Sequence, residues 1–188
     1  MNSSATPPGG LLLNPANLIT LARLCAVPVA IFFVLRAAFA PAFAIFAAAG
    51  IYDAIDGWLA RRQGTTTLGA VLDPLADKAL MISMYITLAL MRILPDWLAI
   101  LVVFRDILII GGVVTLWMFA QPPHIAPFSI SRANTFLQIA LVGLALGTKA
   151  AHLDLPAFLS AMIVAVTIST LASGAAYVLA FFNRSPIG

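Results

Sequence analysis

Six stretches of the chain, near 18–36, 39–60, 69–91, 95–119, 132–149 and 156–182, are each about twenty residues long and mostly apolar. A helix of roughly 20 apolar residues crosses the hydrocarbon core of a bilayer, where a spanning segment must satisfy its own backbone hydrogen bonds. The expected fold is therefore all-α: a polytopic integral membrane protein built as a six-transmembrane-helix bundle. The breaks carry suitable punctuation. Pro41 follows Arg36, "RRQGTTT" separates the second run from the third, Pro95 opens the fourth, and "QPPHIAP" and "HLDLP" separate the last three.

Composition narrows the class further. Only 9% of the 188 residues are charged and 62% are hydrophobic, whereas a soluble domain carries about a quarter charged residues. One helical domain over 17–183 is expected, with no room for a second sizeable soluble one. The stretch 1–16 lacks a basic n-region and a cleavage site and reads as a disordered tail, with a second short tail at 184–188. A net charge of +3 is too small to argue for nucleic acid and suits basic loops at an anionic lipid surface. The single cysteine, Cys25, excludes a disulfide within the chain and reads as a small buried hydrophobe.

Six spans put both termini on one side, with the loops around 61–68 and 120–131. That side holds Arg61, Arg62, Arg132 and Arg184, with Arg23 and Lys78 close to it; the other holds Arg36, Arg92 and Lys149. The excess favours termini facing the cytoplasm and a multi-pass protein of the cell inner membrane.

Against this background one segment is out of place. "DAIDGWLARRQGTTTLGAVLDPLADK", residues 53–78, holds four of the seven aspartates, and no glutamate occurs anywhere. Asp53 and Asp56 are spaced i, i+3, and Asp73 and Asp77 are spaced i, i+4, so each pair shares one face of a helix. A short turn containing Gly64 would fold the two helices into a hairpin and bring the pairs together. Four carboxylates in a low-dielectric cleft repel, and burying each alone costs several kcal/mol. Ion pairing alone offers only Arg61, Arg62 and Lys78 against four close anions. Divalent cations resolve the imbalance, and an all-oxygen site without His or Cys suits Mg²⁺ or Mn²⁺ better than zinc. Two such ions bridged by shared carboxylates are a solution used in phosphoryl chemistry. Gly57 and Gly69 remove side chains where a nucleotide approaches the backbone, Ala60 is small, and Arg61 suits bidentate pairing with a phosphate. Pro74 costs least if Asp73 begins or kinks its helix.

The run "DAIDGWLAR…GAVLDPLAD", with Asp53, Asp56, Gly57, Ala60, Arg61, Gly69, Asp73 and Asp77 at its defining positions, resembles the signature of the CDP-alcohol phosphotransferases. These are integral membrane enzymes of phospholipid synthesis. The spacing between Arg61 and Gly69 is one residue shorter than the family's, a difference that falls in the turn. The resemblance implies that Asp53, Asp56 and Asp73 bind two metal ions, with Asp77 touching the second and serving as general base. It implies a CDP pocket of Gly57, Ala60, Arg61 and Gly69, with Asp56 and Asp73 nearby, and a homodimer. The base would deprotonate an acceptor hydroxyl, which attacks the β-phosphorus of a CDP-linked donor and releases CMP.

Other polar residues bear on the acceptor. Asn17, Thr20 and Arg23, at i, i+3 and i+6, share a face of the first helix, read either as a polar stripe at a helix end or as facing the active cavity, where they are candidate contacts of the acceptor and its phosphate. Arg105 and Arg132 lie in apolar surroundings and form a candidate receptor for an acceptor's phosphate; the alternative for Arg105 is an internal salt bridge, although i, i+1 neighbours point apart on a helix. "FRDILII" and "ISRANTFLQ" resemble the cardiolipin-forming branch of the family more than the branch that makes phosphatidylglycerophosphate. "STLASGAAYV" leans the same way, or serves as small-residue helix packing. The implied donor is CDP-diacylglycerol and the implied acceptor phosphatidylglycerol, with glycerol 3-phosphate second. A divalent-cation transporter would spread its carboxylates along a path through several spans, and here they gather on two neighbouring helices. A catalytically dead relative would lack a metal ligand, and none is missing. His124 and His152 fall in expected loops and read as solvated.

Overall fold

The computed structural model describes the backbone of residues 15–63, 67–118 and 129–182, and the side chains of 22–52, 76–112 and 130–179. Among the described residues there are six helices and no strand: α1 (Pro15–Leu35), α2 (Phe39–Gln63), α3 (Thr67–Leu90), α4 (Asp96–Met118), α5 (Ser129–Ala150) and α6 (Pro156–Phe182). Each expected run is a helix, with ends displaced by three residues at most. Pro15 and Pro156 open α1 and α6, where the missing N–H has no intrahelical partner to lose. Residues 1–14 and 183–188, most of the two expected tails, lie outside the described residues, as does His124.

The charged segment does not interrupt the helices. α2 runs through Asp53 and Asp56 to Gln63, and α3 starts at Thr67, six residues before Asp73. Asp73 therefore does not begin its helix. Pro74 lies in the helix interior, where its ring removes the donor that the carbonyl of Ala70 would receive.

Three helices end in the same way. Ala37, Arg92 and His152 adopt left-handed φ of 55°, 57° and 53° just beyond α1, α3 and α5. The amide of Ala38 bonds the carbonyl of Phe33, and that of Ala37 bonds Val34. Ile93 to Leu88 with Arg92 to Ala89, and Leu153 to Thr148 with His152 to Lys149, repeat the pattern. This is the Schellman arrangement, which satisfies the last carbonyls of a helix and is usually built on glycine. Each cap here uses a side-chain-bearing residue instead, and a cation (Arg36 beside Ala37, Arg92 itself, Lys149 near His152) complements the negative helix end.

The chain divides into two compact units, Met1–Met84 and Tyr85–Gly188. In the first, α1 packs on α2 through Ala30, Val34, Ala42, Phe46 and Ala49; in the second, α6 takes up both α4 and α5 around Leu98, Val102, Leu141, Leu146 and Val166. The polarity of the second unit is inverted relative to a water-soluble fold. On α5, Phe136 is 71% exposed while Asn134 and Gln138 are 0% and 1% exposed. On α4, Trp97, Ile100, Phe104 and Ile107 form one exposed stripe, with Arg105 and Asp106 buried on the other side. Large exposed apolar faces over buried polar residues are what a lipid solvent selects. Cys25 follows the same rule: it is exposed rather than buried, on the α1 face that carries the exposed Val29 and Phe32.

By length and composition, two segments of the described residues are apolar enough to cross a membrane, Ile130–Ala150 and Pro156–Leu179; Ala22–Leu35 and Phe39–Tyr52 are shorter apolar segments. Among the described residues this is fewer than the six spans expected.

Candidate active site

The carboxylate pairs are carried by regular helix. Asp53, Asp56, Gly57, Ala60 and Arg61 lie in the second half of α2, and Gly69, Asp73 and Asp77 in the first half of α3. The i, i+3 and i, i+4 spacings therefore do put each pair on one helix face. Of these eight residues only Asp77 has a described side chain; the others, with Asn17 and Thr20, lie outside the described side chains. Among the described residues no group of three His, Cys, Asp or Glu side chains could hold a metal ion.

Asp77 is partly open, with 43% of its side chain exposed, and its Oδ1 accepts a 2.5 Å hydrogen bond from Nη1 of Arg23 on α1. The guanidinium itself is enclosed, with only 4% of its side chain exposed. Beside it lies a cavity of about 330 Å³ lined by Ala22, Arg23 and Ala26 of α1 and Ile45, Ala48, Ala49 and Tyr52 of α2. An accessible carboxylate in an all-aspartate donor set fits a hard divalent ion such as Mg²⁺ or Mn²⁺. The sequence pattern put Arg23 on the polar face of α1 but not opposite Asp77, because the two are 54 positions apart.

A second polar cluster lies in α4, α5 and α6. Arg105 donates from Nη1 to Asp106 Oδ1 at 2.8 Å, and from Nη2 to the hydroxyls of Ser131 and Ser173 at 2.8 and 2.5 Å. Its guanidinium carbon lies 5.9 Å from the ring centroid of Tyr177. The internal salt bridge is thus real: the long arginine side chain reaches its chain neighbour although the two Cβ atoms diverge. Arg132, which follows Ser131 on α5, is exposed and is not among the partners of Arg105.

Ser169 and Thr170 of α6 donate to Oδ1 of Asn134 at 2.7 and 2.9 Å, and Tyr85 donates to the carbonyl of Gln138 at 3.3 Å. The small polar residues of "STLASGAAYV" are therefore hydrogen-bonding groups. A Cβ at Gly174 would stand at an ordinary 3.7 Å from Arg105 Cγ, so close packing does not require that glycine. In this cluster, and among the described residues, three buried donors have no acceptor: Nε of Arg105, Nδ2 of Asn134 and Nε2 of Gln138. An unsatisfied buried donor costs about 1–3 kcal/mol, and three in one cluster indicate a place that receives oxygen atoms. His152 is exposed at the end of α5, as expected of a loop residue.

Over residues 13–172 the chain matches the family model described as CDP-alcohol phosphatidyltransferase. It is 33% identical over 194 residues to a probable cardiolipin synthase (CMP-forming) of Drosophila melanogaster, covering 94% of this chain and 60% of that protein. It is 30% identical over 178 residues to the cardiolipin synthase (CMP-forming) of Rattus norvegicus, covering 86% and 59% respectively. It is 38% identical over 141 residues to a probable phosphatidylglycerophosphate synthase of Mycobacterium tuberculosis, covering 71% and 66%. The chain thus spans about 60% of the fly and rat proteins.

Proposed function

Because the chain belongs to the CDP-alcohol phosphatidyltransferase family, we propose that it transfers a phosphatidyl group from CDP-diacylglycerol to an acceptor hydroxyl and releases CMP. The observation that carries this reading is the intact run of eight signature residues, from Asp53 to Asp77, on two consecutive regular helices. Asp53, Asp56, Asp73 and Asp77 would hold two Mg²⁺ or Mn²⁺ ions, which when bound supply Lewis-acid stabilisation of the phosphate charge. Arg61 takes a phosphate of the nucleotide as a bidentate partner, while Gly57, Ala60 and Gly69 leave space for the nucleotide. Asp77 accepts the proton of the acceptor hydroxyl as its oxygen attacks the β-phosphorus. The bond from that phosphorus to the oxygen of CMP breaks, and CMP leaves with the electron pair.

Phosphatidylglycerol is the preferred acceptor, which makes the product cardiolipin. Support comes from the Arg105 cluster: Asp106 balances the arginine, so the buried group has no net charge while offering three unpartnered donors. Hydroxyls and the singly charged diester of a lipid headgroup suit such a surface better than the dianion of glycerol 3-phosphate. Arg132, Asn17 and Thr20 remain candidates for phosphate contact. The second reading, phosphatidylglycerophosphate synthesis from glycerol 3-phosphate, is favoured by the 38% identity to the mycobacterial relative.

The exposed apolar faces of α4 and α5 support a lipid setting; the six-span arrangement in the cell inner membrane, with the termini and active site toward the cytoplasm, rests on the apolar runs and the distribution of basic residues in the sequence, and a homodimer belongs to the same reading through the family resemblance. Purified protein incubated with CDP-diacylglycerol, Mg²⁺ or Mn²⁺ and each acceptor in turn tests the proposal. Cardiolipin formed only with phosphatidylglycerol supports it. CMP release only with glycerol 3-phosphate moves the assignment to the second reading, and no CMP release with either overturns both.

A further inference from the structure

We propose that Arg23 is a positioning residue that sets the orientation of the Asp77 carboxylate, an inference that rests on the reading of Asp77 as general base. The pair is asymmetric: the guanidinium is enclosed and the carboxylate is open on one side, at side-chain exposures of 4% and 43%. An interhelical staple needs no such opening. A charge-assisted bond at 2.5 Å from a planar, rigid donor fork holds Oδ1 and so fixes the plane in which Oδ2 lies. The carboxylate is then presented toward the open side at one angle instead of sampling its rotamers. Lysine, a single rotatable ammonium on a flexible stem, would hold it less firmly.

This differs from the role that the polar face of α1 suggested, a contact of Arg23 with an acceptor's phosphate. The Nη1 donor of a guanidinium buried against Asp77 is already committed to a carboxylate. The cavity beside it supplies a direct test, because it is lined otherwise by alanines, Ile45 and Tyr52 and adjoins the volume that truncation of Arg23 would vacate. A small planar cation added in solution has a place to enter.

The experiment uses the full chain in detergent micelles with CDP-diacylglycerol and phosphatidylglycerol. Misplacing a reacting group by about 1 Å costs on the order of 10²-fold. Arg23→Ala should therefore lower kcat by about that factor, with KM for both substrates within roughly twofold. Arg23→Lys should retain an intermediate kcat, and added guanidinium should restore part of the kcat of Arg23→Ala. If Arg23→Ala does not fold, Arg23→Lys and Arg23→Gln carry the same comparison. An unchanged kcat with a lowered melting temperature would make the pair a staple and overturn the proposal. A raised acceptor KM with kcat intact would restore the phosphate-contact role and overturn it equally. Full turnover in Asp77→Asn would remove the base, and the positioning role with it; inactive Asp77→Asn beside fully active Arg23 variants would remove positioning alone. The pair is also read without turnover, by melting in the absence of added metal. Arg23→Gln/Asp77→Asn should melt no lower than the worse single variant, and additive shifts would count against the contact.

Discussion

Replacing Asp106 by Asn keeps the shape of the side chain and removes the charge that faces Arg105. Both side chains are enclosed, at 4% and 1% exposure, so the guanidinium would stay inside the protein with its charge uncompensated. Removing one partner of a buried pair costs about 3–5 kcal/mol, chiefly because the other charge stays behind. Arg105 would still donate to Ser131 and Ser173 and lie near the Tyr177 ring, which places the expected loss at the lower end, about 3–4 kcal/mol. For a chain of 188 residues this is a fall in melting temperature of roughly 6–15 °C. The companion variant is Arg105→Met/Asp106→Leu, in which both charges leave together. Apolar replacement of a whole buried pair is often neutral or stabilising, so the double variant should melt above Asp106→Asn despite carrying one more substitution. Thermal unfolding of the three proteins in the same micelle, followed by circular dichroism, decides it. Parent-like melting of Asp106→Asn would refute the burial of the pair, and a double variant below the single one would refute the explanation by an uncompensated charge.

Gln138→Met removes a buried donor that has no acceptor, so it should leave the melting temperature unchanged or raise it; if the cluster receives acceptor oxygens, it should raise KM for phosphatidylglycerol and spare KM for CDP-diacylglycerol. Ala37→Gly should stabilise by about 0.5–1 kcal/mol, because the left-handed conformation at φ 55° strains alanine by about 1–2 kcal/mol and glycine returns part of that in backbone entropy; a lower melting temperature would contradict the cap. Chelation of divalent ions should abolish CMP release, with recovery on adding Mg²⁺ or Mn²⁺; turnover that survives complete chelation would exclude the metal role of the aspartates.

The helices were legible because about twenty apolar residues between prolines and polar turns leave few alternatives. The register of the carboxylate pairs was legible too, since it depends only on 3.6-residue periodicity within α2 and α3. What the sequence left undetermined required tertiary proximity or solvent. Arg23 meets Asp77 across 54 positions, a distance at which no periodicity operates. Arg105 finds its counter-ion at the next residue, against the rule for helix neighbours, because its side chain is long enough to turn back. Cys25 was placed inward by a rule for water; in a chain whose exposed faces are apolar, the same character puts it outside. Pro74 was compatible with a helix start or a kink at Asp73; it lies in the helix interior, since α3 already runs from Thr67.

The three Schellman turns have a consequence for how such a chain would be made. Only residues 36–38, 91–95 and 151–155 separate α1 from α2, α3 from α4 and α5 from α6. In the proposed bilayer arrangement these are the segments carried to the far side, and each is at most five residues long. Almost no polar chain has to be translocated, and a helix that has entered is followed by its partner within about one turn's length of peptide. Insertion then proceeds hairpin by hairpin, and the orientation of each pair is settled by the basic residues that stay behind, Arg61, Arg62 and Arg132 among them. An epitope placed in one of the three tight turns would disturb a helix cap as well as lengthen the translocated segment.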